Sequence, residues 1–192
     1  MATLRERQEK LREEAITETM HDLLIQKGYA ATSMEEVAAQ LGIGKATLYR
    51  HFKSKEELAL RVIVKQIEEA ESTLQTLDPQ LPAIRRLELS LRAGFENRLK
   101  MGQARIELLP EVVLSNPDFQ AAQQRIAAAS DAVLEEAKQQ GAIRSELPTP
   151  LLREFISSVF SIPFETLVTR EGLEPKAMVD SVVEMVLNAL RG

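Results

Sequence analysis

The segment from Thr32 to Lys55 constrains the fold most, because it encodes two short helices on either side of a glycine turn. Ser33 and Glu36 form a capping-box pattern, in which a hydroxyl and a carboxylate satisfy backbone N–H groups at a helix start. The apolar face of this first helix comprises Met34, Val37, Ala38 and Leu41. Gly42 suits the bend that ends the helix, because glycine adopts a positive φ without steric cost.

The second helix of the pair carries cations, hydroxyls and a tyrosine. It is predicted to begin near Gly44, and its apolar residues Leu48 and Phe52 lie four positions apart and therefore face inward. The residues left largely outside are Lys45, Thr47, Tyr49, Arg50 and His51. Two helices joined by a tight glycine-containing turn form a helix-turn-helix, whose second helix can enter the major groove of DNA.

The distribution of charge also favours DNA at this segment. No Asp or Glu lies between Val37 and Lys55, whereas Lys45, Arg50 and Lys53 add positive charge. We therefore expect phosphates to be attracted here without opposition from a local carboxylate. The whole chain has a formal net charge of −5, so this cationic patch on an acidic body should orient the protein toward DNA.

Other kinds of site find little support in the sequence. A phosphate-binding loop at residues 42–45 would need glycine at position 39 and a hydroxyl residue at 46, where the chain has Ala39 and Ala46. Only two histidines, His21 and His51, are present, and cysteine is absent. We therefore expect no enzymatic activity, no metal site and no cofactor.

The stretch from Ile16 to Leu58 resembles the DNA-binding domain of the TetR family of bacterial transcriptional regulators. The residues at the family's spacing are Ile16, Gly28, Tyr29, Thr32, Ser33, Val37, Ala38, Leu41, Gly42, Ile43, Thr47, Leu48, Tyr49, His51, Phe52, Lys53, Ser54, Lys55, Glu56 and Leu58. The remainder of the chain fits the family in length and helicity. The resemblance implies a homodimer that binds a pseudo-palindromic operator in double-stranded DNA, usually as a repressor. It also implies release when a small-molecule effector enters the larger domain.

The resemblance implies roles for individual residues as well. Lys45, Ala46 and Tyr49 match positions at which the family reads base edges, and Arg50 lies beside them. The positions that grip phosphates are matched by Thr32, Thr47, Tyr49, His51 and Lys55. The candidate DNA-binding set is Thr32, Ser33, Gly44, Lys45, Ala46, Thr47, Tyr49, Arg50, His51 and Lys55. A lysine in the first turn can reach guanine O6 or N7, and hydroxyls can donate to phosphate oxygens.

Two of these positions depart from the family's usual residues. Gly44 stands where a serine often caps the helix, and Ala46 stands where a glycine is frequent. The methyl group of Ala46 can instead contact a thymine methyl. The operator sequence therefore cannot be copied from a relative.

Hydrophobic periodicity predicts an all-α fold with about nine helices. The resemblance implies that residues 1–55 form a three-helix DNA-binding domain and that residues 56–192 form a larger domain. The first helix is expected from residue 9 to residue 27, stopping at Gly28, with the preceding residues frayed or forming a solvated extension. A long helix from Lys55 to Thr76 starts beside the DNA-reading residues. We expect it to act as a lever between the two domains, as in the family.

The larger domain is expected to bind the effector. One helix should run from Pro82 to about residue 100, a short segment from Gln103 should be interrupted at Pro110, and another helix should follow Pro117 as far as Gly141. Residues that could line an effector cavity are Phe95, Met101, Phe119 and Phe155, with Arg98, Arg105 or Glu107 as polar anchors. Because Phe and Met at helical spacing usually fill cores, the ligand residues and the effector remain open.

The C-terminal region is expected to form the dimer interface. A helix from Leu151 to Thr169, kinked at Pro163, and a final helix from Pro175 carry apolar residues over more of their surface than one core contact requires. This surplus predicts burial against a twofold mate, giving a homodimer through the two C-terminal helices. The alternative is a deeply buried helix pair in a monomer.

The sequence also bears on the cellular location of the protein and on alternative functions. No apolar run approaches the eighteen or so residues of a membrane span, and residues 1–14 are densely charged without an apolar signal region, so a cytoplasmic protein is expected. One alternative function is a small-molecule carrier or sensor with a vestigial helix-turn-helix. A DNA-architectural or recombinase-type protein would need basic charge throughout or a catalytic domain, and the sequence shows neither.

Overall fold

The computed structural model describes residues 3–101 and 110–191, and these residues form helices and no strands, which confirms the all-α prediction. The helices are α1 (Leu4–Ala31), α2 (Met34–Gln40), α3 (Lys45–His51), α4 (Lys55–Thr76), α5 (Ala83–Met101), α6 (Pro110–Leu114), α7 (Pro117–Gln139), α8 (Thr149–Val159), α9 (Phe164–Glu171) and α10 (Pro175–Arg191). Within those two ranges, none of the helices combines the length and apolar character needed to cross a membrane.

The chain divides into two compact units. The first comprises residues Met1–Gln66 and Gln103–Phe119, and the second comprises Ile67–Gly102 and Gln120–Gly192. Helix α4 contributes residues to both units, because the division falls within it. The functional division into residues 1–55 and 56–192 remains a prediction.

Helix α1 begins five residues earlier than the sequence pattern suggests. Thr3 caps it: the Glu6 N–H donates to the Thr3 hydroxyl at 3.2 Å, and the Thr3 N–H donates to the Glu6 carboxylate at 2.7 Å. This capping box lies N-terminal to the apolar periodicity, so the prediction of frayed residues before residue 9 is wrong. The exposed residues 4–15 instead form the solvated helical extension. Gly28 interrupts the helical backbone with φ 80°, at the predicted position.

The core of the first unit uses the apolar faces that the sequence indicates. Side chains that are buried there include Ile16, Met20, Leu23 and Leu24 of α1, Met34, Val37 and Ala38 of α2, Leu48 of α3, and Phe52 and Leu58. Burial of apolar side chains stabilises by about 25 cal/mol for each Å² removed from water. This shared core fixes α2 and α3 against α1, and so determines which side of α3 faces outward.

The core of the second unit is built from α5, α7, α8, α9 and α10, together with Leu74 near the end of α4 and Ile143 after α7. A single kinked helix over residues 151–169 is not observed, because α8 ends at Val159 and α9 begins at Phe164. Pro163 has no N–H to continue the helical hydrogen bonds, and it disfavours helical backbone at Ile162. The proline therefore separates two helices, which accounts for ten helices in the described ranges instead of about nine.

The structure places Pro110 and several of the candidate effector residues. Pro110 begins α6, as prolines commonly do in a first helical turn, and the segment predicted from Gln103 up to it lies outside the described residues. Phe95 is buried in the core of the second unit, where its ring stacks on Phe160 at 4.2 Å between centroids and meets Phe164 edge-on at 5.4 Å. The Arg98 guanidinium donates to the Phe160 carbonyl at 3.3 Å. Arg105, Glu107 and the Met101 side chain lie outside the described residues.

Gly94 lies directly beneath the ring of Phe160, and substitution there should destabilise the second unit. A Cβ atom at position 94 would lie 3.0 Å from two ring carbons of Phe160. Gly94→Val should therefore lower the free energy of unfolding by about 1–3 kcal/mol through overpacking. Chemical denaturation followed by circular dichroism measures this. Gly94→Val should lower the free energy of unfolding less in the Phe160→Ala variant than in the wild-type protein, because the clashing ring is absent. An equal loss in both backgrounds would contradict the contact.

Candidate nucleic-acid interface

Helix α2 and the turn after it follow the predicted geometry. The Glu36 N–H donates to the Ser33 hydroxyl at 3.3 Å, and the Ser33 N–H donates to the Glu36 carboxylate at 2.9 Å, which completes the capping box. Gly42 has φ 64°, and the Ile43 N–H donates to the Ala38 carbonyl at 3.0 Å. This αL cap turns the chain from α2 into α3 and satisfies a carbonyl at the end of α2.

Helix α3 is short and is held by its inward side. The Thr47 N–H and the Leu48 N–H both donate to the Gly44 carbonyl, at 2.9 and 3.2 Å, so Gly44 is the N-cap although it offers no side-chain cap. Leu48 and Phe52 are buried, as predicted. The opposite side of the helix is consequently directed outward, and Tyr49 is 43% exposed.

The candidate DNA-binding residues divide into three groups by exposure. The exposed residues are Gly44, Lys45, Ala46, Tyr49 and Arg50; the half-buried residues are Ser33, Thr47, His51 and Lys55; and the buried residue is Thr32. The exposed group lies on α3 and its cap. The resemblance assigns base reading to three of these five residues, Lys45, Ala46 and Tyr49, and Arg50 lies beside them.

Thr32 has a structural task in this geometry. It is 2% exposed, its hydroxyl donates to the Gly28 carbonyl at 2.9 Å, and its N–H donates to the Tyr29 carbonyl at 3.2 Å. These bonds close the C-terminal end of α1. Donation from the Thr32 hydroxyl to a phosphate would require the bond to Gly28 to break, so the implied phosphate contact does not follow from this arrangement.

His51 is also less accessible than the sequence suggests. Its side chain is only 7% exposed, and Nδ1 lies 3.3 Å from a carboxylate oxygen of Glu13 in α1. Nε2 is buried, with no hydrogen-bond partner in the described part of the chain. Contact between His51 and a phosphate would therefore need a change in the orientation of the imidazole.

Lys55 is positioned by a tyrosine that the sequence analysis does not place in the site. The Lys55 ammonium lies 4.0 Å from the centre of the Tyr29 ring, a cation–π arrangement. The Tyr29 hydroxyl donates to Glu56 at 3.2 Å. Burial, together with the negative charge of Glu56, raises the pKa of Tyr29 to about 12, so this donor stays protonated. Tyr29 is missed because its partners follow it by more than twenty positions.

Carboxylates from other helices approach the cationic segment. Lys45 donates to Glu35 of α2 at 3.0 Å, and Lys27 of α1 donates to Glu36. The hydrogen bond from Lys45 lowers the pKa of Glu35, and the hydrogen bond from Lys27 lowers the pKa of Glu36, so both are ionised at neutral pH. The expectation that no carboxylate opposes DNA here is therefore wrong for Lys45, because the fold supplies an acid from outside residues 37–55.

Comparison with known proteins shows which family the helix-turn-helix segment resembles. The family description "Bacterial regulatory proteins, tetR family" matches residues 16–62. The HTH-type transcriptional regulator EthR of Mycolicibacterium smegmatis is 26% identical over 190 residues, covering 94% of this chain and 87% of EthR. The uncharacterized HTH-type transcriptional regulator YerO of Bacillus subtilis is 47% identical over 49 residues, covering 26% of this chain but only 17% of YerO.

A solved structure extends the comparison to the whole fold. The fatty acid degradation regulator FadR from Bacillus halodurans superposes with a TM-score of 0.73 at 18% identity, covering 92% of this chain and 94% of FadR. Each of these relatives is named as a regulator. The helix-turn-helix at the matched residues is therefore that of the TetR family of transcriptional regulators, and an all-α fold follows it.

Proposed function

We propose that this protein is a repressor that binds a pseudo-palindromic operator in double-stranded DNA as a homodimer and is released by a small-molecule effector. The observation that carries the proposal is the exposed face of α3, where Lys45, Ala46, Tyr49 and Arg50 lie over a buried Leu48. An exposed row of donors, a methyl group and an aromatic ring on a short helix is suited to base edges. A regulator of this kind acts on DNA in the cytoplasm.

The dimensions of α3 agree with this role. An α-helix with its side chains is about 10–12 Å in diameter, which fits a major groove about 12 Å wide. Lys45 in the first turn reaches guanine O6 or N7, and the methyl group of Ala46 meets a thymine methyl. Arg50 in the last turn and Lys55 at the start of α4 are placed for phosphates.

Exposed apolar side chains in the second unit support the homodimer. Leu151 and Phe155 lie one turn apart on α8, and they are 55% and 39% exposed. Met185 on α10 is 69% exposed. Much of the apolar stripe of α10 is used within the protomer, because Val183, Val186, Leu187 and Leu190 are buried there. The exposed residues that remain on α8 and α10 are the surface that we assign to the twofold mate.

The apolar interior of the second unit supports an effector that is itself largely apolar. The side chains of Phe95, Leu99, Phe164, Met178, Val179 and Val182 enclose a space that does not admit a water molecule. A ligand that enters between α5 and α10 must therefore separate packed apolar side chains. Separation of this kind would change the second unit, and α4 offers a continuous backbone through which the change can reach the first.

Selection from random DNA tests the proposed function and separates it from a carrier with a vestigial helix-turn-helix. The wild-type protein is incubated with duplexes that contain about 30 random base pairs, enough for two half-sites one helical turn apart. Bound duplexes are amplified and selected again. Enrichment of one motif with salt-sensitive binding supports the regulator, whereas the absence of any enriched motif would favour the carrier.

Two lysine substitutions should have different consequences for DNA binding. Lys45→Ala removes a base contact, so it should cost about 1–3 kcal/mol at the enriched duplex and relax preference at particular base pairs. Lys55→Ala removes a phosphate contact, so it should weaken all duplexes alike and reduce the salt slope by about one. Titrations of both variants at several salt concentrations measure these effects. Indistinguishable behaviour would contradict the assignment of the two roles.

A further inference from the structure

We propose that Glu35 determines specificity by holding the ammonium group of Lys45, so that Lys45 engages DNA only where a base pair offers a matching pair of acceptors. The inference rests on the proposed DNA-binding function. It adds to the candidate site a residue of α2 that the family resemblance does not assign. Glu35 reduces the attraction for phosphates, whereas the cations of the site supply that attraction.

The two residues form a bridge between the helices of the helix-turn-helix. Glu35 lies in the first turn of α2 and Lys45 in the first turn of α3, and their side chains meet at 3.0 Å. Both side chains remain exposed, at 50% for Glu35 and 64% for Lys45. The pair therefore lies on the surface that α3 presents. The lowered pKa of Glu35 keeps its carboxylate charged at neutral pH.

A second cation on the same helix, Arg50, provides a comparison with Lys45. Arg50 is exposed, and among the described residues it has no ion-pair partner. Its charge is available to any phosphate that comes within reach. The charge of Lys45 is not available in this way, because the carboxylate of Glu35 already neutralises it when a phosphate comes near.

The geometry of the ammonium group explains how specific binding is preserved. A lysine ammonium has three N–H donors. One donor is used by Glu35, and two remain for guanine O6 and N7, which lie side by side in the major groove. Glu35 thus orients Lys45 toward a two-acceptor base edge, while it removes the attraction of Lys45 for isolated phosphates.

Glu35→Gln tests the proposal, because glutamine keeps the size and hydrogen-bonding capacity of the side chain but removes its charge. Binding is measured on the most enriched duplex from the selection and on a scrambled duplex of equal length and composition. Freeing one cation for a phosphate should steepen the salt slope on the scrambled duplex by about 0.9, which near 0.1 M salt is about a fivefold to tenfold gain in affinity. Affinity for the enriched duplex should change less, so the specificity ratio should fall.

Two results would overturn the proposal. One is an unchanged specificity ratio in Glu35→Gln. The other is a loss of affinity confined to the enriched duplex, which would mean that Glu35 itself accepts a hydrogen bond from a base such as cytosine. A wild-type protein without preference for the enriched duplex would instead remove the proposed function, so the two failures are distinguishable.

Two further variants separate the Glu35–Lys45 contact from a general effect of charge. Glu88→Gln makes the same change in net charge at another ion pair, in which the exposed Arg85 and the half-buried Glu88 of α5 meet at 2.6 Å. It should leave the specificity ratio unchanged. In the Lys45→Ala background, Glu35→Gln should no longer alter binding to the scrambled duplex. A gain that persists without Lys45 would show that Glu35 acts by long-range repulsion and not through this contact.

Discussion

Met185→Glu is expected to convert the protein to a monomer and to weaken binding to the operator about 100-fold or more. Met185 on α10 is 69% exposed in the protomer, so its replacement does not open the core of the second unit. In the proposed dimer, the new carboxylate would be buried against its own symmetry mate without a partner, which is costly. Loss of the second protomer also removes the effective concentration that links two half-sites, worth about 10²–10⁴ in affinity.

Molar mass from light scattering and DNA affinity from titration measure the two parts of this prediction. Leu151→Glu on α8 should behave in the same way, because Leu151 is also exposed and belongs to the surface that we assign to the twofold mate. Leu4→Glu is a matched control, since Leu4 on α1 is 74% exposed and lies in the first unit. The control should keep the dimeric mass. A dimeric Met185→Glu protein would show that α10 does not carry the interface at this position.

Ile67→Pro is expected to leave DNA binding intact and to abolish release by an effector. Ile67 lies inside α4, where proline removes a backbone hydrogen bond and clashes with the carbonyl of Ile63, at a cost of about 3 kcal/mol to the helix. The N-terminal part of the first unit ends at Gln66 and contains the buried core around the helix-turn-helix, so this motif should still form. A break in α4 should then prevent a change in the second unit from reaching α3.

Release is tested with a compound that displaces wild-type protein from the enriched duplex in a screen. Ile67→Ala serves as the control, because alanine keeps the backbone N–H and the helix. We expect Ile67→Ala to be released and Ile67→Pro to stay bound at the same compound concentration. Release of Ile67→Pro at that concentration would argue against α4 as the lever, and failure of this variant to bind DNA would contradict the independence of the first unit.

Local features of the fold were predictable because local rules decide them. The capping box of Ser33 and Glu36 and the positive φ of Gly42 both follow from the chemistry of short segments. The bounds of α4, Lys55–Thr76, follow from a regular apolar repeat. At the start of α4 the Ser54 hydroxyl accepts a hydrogen bond from the Glu57 N–H at 3.1 Å, and the Glu57 carboxylate accepts one from the Lys53 N–H at 2.6 Å.

The interruption between α8 and α9 was not predictable from periodicity alone. Apolar residues continue on both sides of Pro163 at helical spacing, so the pattern cannot distinguish a kinked helix from two helices. Packing decides the outcome, because Phe160 stacks on Phe95 and its ring lies against Gly94.

Electrostatics of the site required the tertiary structure. Charge counted along residues 37–55 shows only cations, yet Glu35 pairs with Lys45 from ten positions away and Glu13 approaches His51 from thirty-eight positions away. Thr32 presents a similar case, since its hydroxyl bonds to Gly28 and is buried. Residue type and spacing indicated which side chains belong to the site, and the residues that α1 and α2 bring close to them determined which side chains already have a partner.

A footprint of the wild-type protein on the most enriched duplex tests the central claim most directly. Two copies of α3 in adjoining major grooves should protect two inverted half-sites whose centres lie about 34–36 Å, one helical turn, apart. Methylation of guanine N7 within each half-site should block binding, because Lys45 is assigned to that atom. Protection of a single half-site, or binding that is indifferent to N7 methylation, would contradict the account.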